Sequence, residues 1–281
     1  MTNAYSETVQ VTRAYYNHTD ADNYYFHVWG GEDIHIGLYD RLDEDIATAS
    51  RRTVERLADR IDGRLSSTAS HVIDLGAGYG GAAHYLAQHF RCRVLALNLS
   101  ETQNQRHREM NAAAGLSELI EVVDGTFEAI PAENASFDIV WSQDALLHSG
   151  RRAQVLGEVD RVLKPGGEFI FTDTMQSDDC PHSVLAPVLD YFHLTSLGSF
   201  TFYEDRAQRL GWEQIEVSDR TDQLVAHYVR LAEVLSARRE SLCGKISDVY
   251  VEAVLTHLES WVEAGRKGYL AWGVLHFRKP G

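Results

Sequence analysis

One stretch, HVIDLGAGYGG from His71 to Gly81, limits what this chain can fold into more than any other. A short apolar strand, His71 to Leu75, runs straight into Gly76-Ala77-Gly78-Tyr79-Gly80-Gly81, and AAHYLAQHF behind it has the make-up of a helix. Strand, glycine turn and helix in that order form the first βα turn of a nucleotide-binding unit. The glycines let the backbone turn tightly and approach a ligand closely, and the helix presents unpaired N–H groups there. By spacing, Gly76, Gly78 and Gly81 also satisfy the dinucleotide pattern G-x-G-x-x-G, so the turn alone leaves the nucleoside open.

The pattern downstream extends that turn into a sheet. Val94 to Asn98 reads as a strand, Glu101 to Ala114 as a helix stopped by Gly115, Ile120 to Asp124 and Phe137 to Ser142 as strands, Arg151 to Leu163 as a helix, and Glu168 to Asp173 as a strand after Lys164-Pro165-Gly166-Gly167. Such alternation implies an α/β fold with a mostly parallel sheet and helices on both faces, binding ligands at the carboxyl ends of its strands. Asp74, Asn98, Asp124, Trp141 to Asp144 and Asp173 all fall at or just beyond strand ends. A helix (Tyr203 to Leu210), a strand (Trp212 to Val217), two long helices (Gln223 to Leu242 and Ile246 to Ala264) and a last strand (Tyr269 to Phe277) follow. A crossover that long is an elaboration. The expected organisation is an N-terminal part over 1–62, with helices at Glu7 to Tyr16 and Ile46 to Ile61, and a main domain over 63–281 with cap insertions at about 174–202 and 220–267. Between the N-terminal helices, YYNHTDADNYYFHVWGGEDIHIGLYD is dense in aromatics. It reads as a packed loop or as a lid over the ligand.

Composition narrows the partners. The chain has 281 residues, with 26 basic against 41 acidic, a formal charge of −15. Nucleic acid would have to bind against that field, whereas an acidic surface suits solubility at high salt. Cys92, Cys180 and Cys243 lack metal or redox spacing, which points to a reduced cytoplasm and to no metal. No basic leader and no run of about 18 apolar residues occurs, so no membrane role is expected. The chain is expected to be a monomer or a small homo-oligomer.

The cofactor can be argued from strand ends. A nicotinamide site wants an acid after the second strand for the ribose, and Asn98 stands there instead. Asp74, just before the first glycine, can reach an α-ammonium group, which S-adenosyl-L-methionine carries and NAD lacks. VIDLGAGYGG, DGTFEAIP (Asp124 to Pro131), FDIVWSQDALLH (Phe137 to His148) and RVLKPGGEFIFTD together resemble the class I S-adenosylmethionine-dependent methyltransferases. Within them, HVWGGEDIHIGLYD (His27 to Asp40), WSQDALLHS, LTSLGSFTFY (Leu194 to Tyr203), DQLVAHY (Asp222 to Tyr228) and WGVLHFRK resemble the sarcosine/dimethylglycine N-methyltransferases of glycine betaine biosynthesis, an osmoprotective route, almost from end to end.

That resemblance implies a Rossmann-like, seven-stranded, mostly parallel sheet whose last strand is antiparallel, with an N-terminal lid and a helical cap. It also implies S-adenosyl-L-methionine as cofactor, leaving S-adenosyl-L-homocysteine. Asp74, Gly76 and Gly78 would hold the methionine end; Asn98, Leu99 and Gln103 the ribose; Gly125, Thr126 and Phe127 the adenine. Ser142 and Gln143 would lie beside the sulfonium, and His35 and Ile36 would touch the cofactor from the lid. Relatives often carry Asp-Pro-Met after the fifth strand, near the acceptor; here Asp173-Thr174-Met175 lacks the proline, which leaves open the choice between sarcosine and dimethylglycine.

Transfer from a sulfonium is an in-line displacement, governed by proximity and alignment. It needs an unprotonated acceptor nitrogen, obtained by desolvation or with a base. A quaternary ammonium product is met best by aromatic faces. Tyr24, Tyr25 and Trp29 in the lid and Tyr203 and Tyr228 in the cap are the cage candidates, with Met175 and His227 as further acceptor contacts; Trp141 reads as core. His148, Gln143 and Tyr203 are the candidates for catalytic roles. Arg151 and Arg152 open a helix and read as solvated, leaving His148, His35, His227 and tyrosine hydroxyls to meet the acceptor carboxylate. The reading is an N-methyltransferase of a small amine. Its alternatives are a class I methyltransferase for another amine, phenol or lipid, a cofactor-binding protein without chemistry, and a dehydrogenase.

Overall fold

The computed structural model describes residues 5–65, 68–181, 183–190, 194 and 196–281. Helix α1 (Glu7–Tyr16) starts where the Ser6 side chain accepts from the Val9 N–H, and α3 (Ile46–Ile61) where Asp45 accepts from Thr48. Between them lie α2 (Thr19–Tyr24) and one π-helical turn, Tyr25–Trp29. The expected packed loop is therefore helical over residues 19–29. Its rings pack on several sides at once, so no single apolar stripe marks the period.

The sheet follows: β1 (His71–Leu75), α4 (Gly81–Phe90), β2 (Arg93–Asn98), α5 (Glu101–Ala114), β3 (Ile120–Asp124), β4 (Phe137–Gln143), α6 (Arg152–Val162) and β5 (Leu163–Gln176). Then come a short α7 (Ala186–Leu189), α8 (Phe200–Arg209), β6 (Glu213–Asp219), α9 (Thr221–Leu242), α10 (Asp248–Arg266) and β7 (Leu270–Arg278). Seven strands form one sheet in the order β3-β2-β1-β4-β5-β7-β6, parallel except that β7 runs antiparallel to both β5 and β6. The Rossmann-like expectation with an antiparallel last strand holds. Ile73, Leu75, Ile139, Val140, Trp141, Phe169, Ile170 and Phe171 in the central strands have no exposure, as a sheet covered on both faces requires.

The N-terminal segment is tied across the strand ends. Tyr79 in the glycine turn donates to Asp22, whose carboxylate also pairs with Arg106 of α5. Leu38 N–H donates to Ala49, Tyr39 N–H to Gln223 of α9, and Gly37 N–H to His227. Opposite, α9 and α10 pack on each other and on the π-helical turn in one apolar cluster that contains Tyr24, Tyr25, Tyr228 and Trp261. Of the expected cap segment 174–202, residues 182, 191–193 and 195 lie outside the described residues. Among the described residues no helix is long and apolar enough to cross a membrane.

Candidate active site

Two chain reversals at the carboxyl ends of the strands create the main cavity, of about 90 Å³. One is the turn after β1, where Gly76 (φ +79°) and Gly78 (φ +54°) adopt left-handed backbone. A side chain at Gly76 would also place its Cβ 2.4 Å from that of Ala145. The other follows β4, where Asp144 itself takes φ +50° and turns its carboxylate inward. Asp74, Gly76, Gly78, Asn98, Leu99, Gln103, Gly125, Thr126, Phe127, Gln143, His35 and His148 all line this cavity.

Not every expected residue does. Ser142 is fully buried and donates its hydroxyl to the Leu75 carbonyl, tying β4 to β1. Ile36 meets the site through its backbone, its N–H donating to Asp144 Oδ2 at 2.7 Å. Tyr203 packs under the strand ends and donates to Asp173 Oδ2 at 2.6 Å, in the same apolar cluster as Met175. That corrects the reading of Tyr203 as a catalytic or cage residue: a hydroxyl spent on a buried carboxyl, with its ring against Phe171, is a brace. His227 Nδ1 accepts from Gly37 N–H and from the Tyr39 hydroxyl, so it anchors the segment around residues 37–39 to α9. Arg152 is also a correction, being buried rather than solvated. Its guanidinium donates to the Ser149 carbonyl at 2.7 Å and to Ser196 Oγ at 2.6 Å, bracing the turn that carries His148.

A second, smaller cavity of about 20 Å³ brings the aromatic candidates together. Tyr15, Tyr24, Tyr25, Trp29 and Tyr228 line it with Val254, His257, Leu258 and Trp261. Ring centroids lie 5.2 Å apart for Tyr25 and Trp29, 6.1 Å for Trp29 and Tyr228, and 5.0 Å for Tyr228 and Trp261. Tyr16 links the two cavities. Its ring sits 5.3 Å from that of Tyr25, and its hydroxyl is 2.9 Å from His148 Nε2. Trp141 is core, as expected, with its indole N–H given to Gln143 Oε1.

The electrostatics of the large cavity favour a cation. Asp33, Asp74 and Asp144 line it together with Glu32. Burial, with Asp33 nearby, pushes the Asp74 carboxyl up to about 7, although His35 pulls it down. Burial raises Asp144 as well, against the hydrogen bonds it accepts from Ile36 and the Trp272 indole. His148 is pushed down to about 4 by burial and is neutral at pH 7. Gln143 Nε2 is buried without a hydrogen-bond partner among the described residues, a donor left over for a ligand. The lining of this cavity is chemically compatible with an aminoacyl sulfonium: carboxylates that could meet an ammonium, an orphan amide donor, and glycines that let a ligand approach the backbone. Asp144 is marked in the sequence only by its place just beyond a strand end, and Asp33 by nothing, since a single acid in a loop has no spacing that distinguishes it.

A methyltransferase-domain family model matches residues 73–171. The sarcosine/dimethylglycine N-methyltransferase of Halorhodospira halochloris is 51% identical to this chain over 97% of both. The glycine/sarcosine/dimethylglycine N-methyltransferase of Actinopolyspora halophila is 53% identical over 98% of this chain, which spans about half (48%) of that longer protein. A crystal structure from Galdieria sulphuraria, of a protein assigned as a sarcosine dimethylglycine methyltransferase, superposes with a TM-score of 0.87 at 42% identity, covering 93% of this chain and 98% of that one.

Proposed function

This chain belongs to the sarcosine/dimethylglycine N-methyltransferase family, and we propose that it methylates the nitrogen of sarcosine and dimethylglycine, with glycine betaine as the final product. The observation that carries this reading is the pairing of an acid-lined cavity over the glycine turn with an aromatic cavity joined to it through Tyr16 and His148. When bound, S-adenosyl-L-methionine supplies an electrophilic methyl group on a sulfonium.

The chain's own residues supply position and environment. Asp74 receives the α-ammonium group, and Gly76 and Gly78 let the backbone approach the methionine end. Asn98, Leu99 and Gln103 face the ribose, and Gly125, Thr126 and Phe127 frame the adenine. Gln143 directs its spare amide donor into the cavity. Tyr25, Trp29 and Tyr228 present ring faces to the acceptor nitrogen, where positive charge develops during transfer, and such faces stabilise a cation that cannot be hydrogen-bonded. Neither cavity is lined by Arg or Lys among the described residues. The acceptor carboxylate is therefore met by hydroxyls: those of Tyr15 and Tyr25, both lining the aromatic cavity, approach each other to 3.4 Å. Residues 1–62 act as the lid and 63–281 as the methyltransferase domain, working in the cytoplasm as a monomer or small homo-oligomer.

Initial rates with glycine, sarcosine and dimethylglycine, measured side by side at saturating cofactor, test the proposal. Turnover of sarcosine and dimethylglycine is expected. Turnover of none of the three, with cofactor bound, would move the chain to another acceptor.

A further inference from the structure

The lid contributes an acid that the glycine-turn motif does not contain. Asp33 is 4% exposed and lines the large cavity. One oxygen, Oδ2, takes the Arg51 guanidinium at 2.9 Å. The other, Oδ1, is buried with no hydrogen-bond partner among the described residues, the His35 Nε2 standing off at 3.7 Å. This oxygen lies hard against Gly81, where a Cβ would come within 2.0 Å of it, yet α4 begins without any side-chain cap. It is therefore an unbonded carboxylate oxygen aimed over the start of α4, beside Asp74.

From this arrangement we propose that Asp33 is a second carboxylate for the cofactor's α-ammonium group, closing from the lid onto the face opposite Asp74. Two carboxylates so close in a dry pocket repel each other, and a single cation between them removes the cost. Burial chiefly raises the affinity of Asp74 for protons, with Asp33 adding to it and His35 acting against it. Asp33 also sits on the strap whose next residues are pinned to the sheet by Ile36 N–H on Asp144 and to α9 by Gly37 N–H on His227. The glycine at position 81 follows from the same geometry, since any side chain there would displace Oδ1.

The proposal rests on the cofactor assignment above, and its test reads binding rather than turnover. Calorimetric titration of the full chain compares S-adenosyl-L-homocysteine, which has the aminoacyl end, with 5′-methylthioadenosine, which lacks it. In Asp33→Asn the affinity for S-adenosyl-L-homocysteine is expected to fall about ten- to hundredfold, the weight of a hydrogen bond to a charged group, with 5′-methylthioadenosine changed less than about twofold. An unchanged or tighter S-adenosyl-L-homocysteine affinity overturns the proposal, because it would put the carboxylate end, not the ammonium, beside Asp33. Equal losses for both ligands also overturn it, since they would mark a general lid defect. Arg51→Gln keeps the Asp33 charge and frees Oδ2, so it is expected to preserve the preference for S-adenosyl-L-homocysteine; loss of that preference there refutes the assignment even if Asp33→Asn does not fold. If wild-type protein binds neither ligand, the cofactor assignment itself has failed, a result distinct from any of these.

Discussion

His148 is the residue best placed to take a proton from the acceptor, and the structure argues that it does not. Burial holds its imidazole at about 4, whereas an aliphatic amine sits near about 10 in water. For an amine that kept its value in water, moving a proton to this imidazole would run uphill by about six pH units, or roughly 8 kcal/mol, and desolvation that lowers the amine favours its free base without any help from His148. The acceptor must instead enter as the free base, leaving its proton to solvent. His148, neutral, then serves as the partner that fixes the Tyr16 hydroxyl at 2.9 Å between the two cavities. The perturbation is His148→Gln, which keeps hydrogen-bonding capacity but cannot titrate. Losing one ordinary hydrogen-bond geometry costs about 1 kcal/mol, so kcat should fall about fivefold while S-adenosyl-L-homocysteine affinity changes little. The decisive assay is the pH profile of kcat/KM for dimethylglycine from pH 6 to 9. Both enzymes should rise about tenfold per unit, following the fraction of free amine. An ascending limb centred between 6 and 7 in the wild type that vanishes in His148→Gln would refute the argument and restore His148 as a base.

Three further expectations follow from the same geometry. Asp74→Asn should weaken S-adenosyl-L-homocysteine binding about ten- to hundredfold by calorimetry, the loss of a charge-assisted contact, and wild-type affinity would break the assignment of the methionine end. Tyr25→Leu removes one face of the aromatic cavity; because the charge it meets arises only during transfer, kcat and betaine affinity should drop about tenfold with cofactor affinity unchanged, and a loss confined to cofactor binding would move the acceptor elsewhere. Stability should peak near pH 6.5. Burial holds His107, His227 and His257 at about 3 and His148 at about 4, so the unfolded chain takes up protons first and stability falls as pH drops below about 6.5, by about 1.4 kcal/mol per unit for each group. Asp74 and Asp173, held near 7, act in the opposite sense, losing stability as pH rises toward 7. In urea titrations the four histidines should outweigh the two carboxyls on the acid side, and Asp173→Asn, which removes one opposing group, should steepen the fall in stability between pH 6.5 and 4.5. A stability that stays level from pH 6.5 to 4.5 would contradict the buried neutral histidines.

Which parts of this were legible in the sequence follows from how local the determinants are. Strands β1 to β4 and helices α1, α3 and α5 lie within a residue of where periodicity, Gly115 and the glycine turn put them, because each is specified by contiguous residues. The cavity over the glycine turn was legible for the same reason: Asp74, Gly76, Gly78, Asn98 and Gly125 sit at successive strand ends. Residues 19–29 are not, since Asp22 pairs with Arg106 and Tyr79 across the fold and the rings of this segment pack on several elements at once. The surroundings of Tyr203 and Arg152 are not legible in the sequence, because they depend on the long-range neighbours Asp173 and Ser196, which no spacing announces. Asp33 escaped notice for a like reason: its significance is one unbonded oxygen.

The division between legible and hidden residues coincides with a division of labour. Among the described residues, the donor cavity is floored by β1, β2 and β4 and their turns, where a shift of one residue would invert every side chain in a buried strand and so is tightly constrained. The aromatic cavity is assembled from α1, α2, the π-helical turn, α9 and α10, elements separated by about two hundred residues and held by ring packing rather than by sheet register. A substitution at Tyr25, Trp29, Tyr228 or Trp261 can therefore reshape the acceptor side without disturbing Asp74 or Gly76. Two of the links between the halves lie at the cavities themselves, Tyr16 to His148 in the wall and Asp144 to the backbone at Ile36, so these four residues are where a change of acceptor would be felt by the donor site. Exchanges in the aromatic cavity should alter acceptor preference at constant cofactor affinity, whereas Asp144→Asn, which weakens the lid contact, should raise the dissociation rate of S-adenosyl-L-homocysteine for every acceptor alike. An Asp144→Asn enzyme whose preference among acceptors shifts at an unchanged dissociation rate, measured by stopped flow, would show that the two halves are not separable in this way.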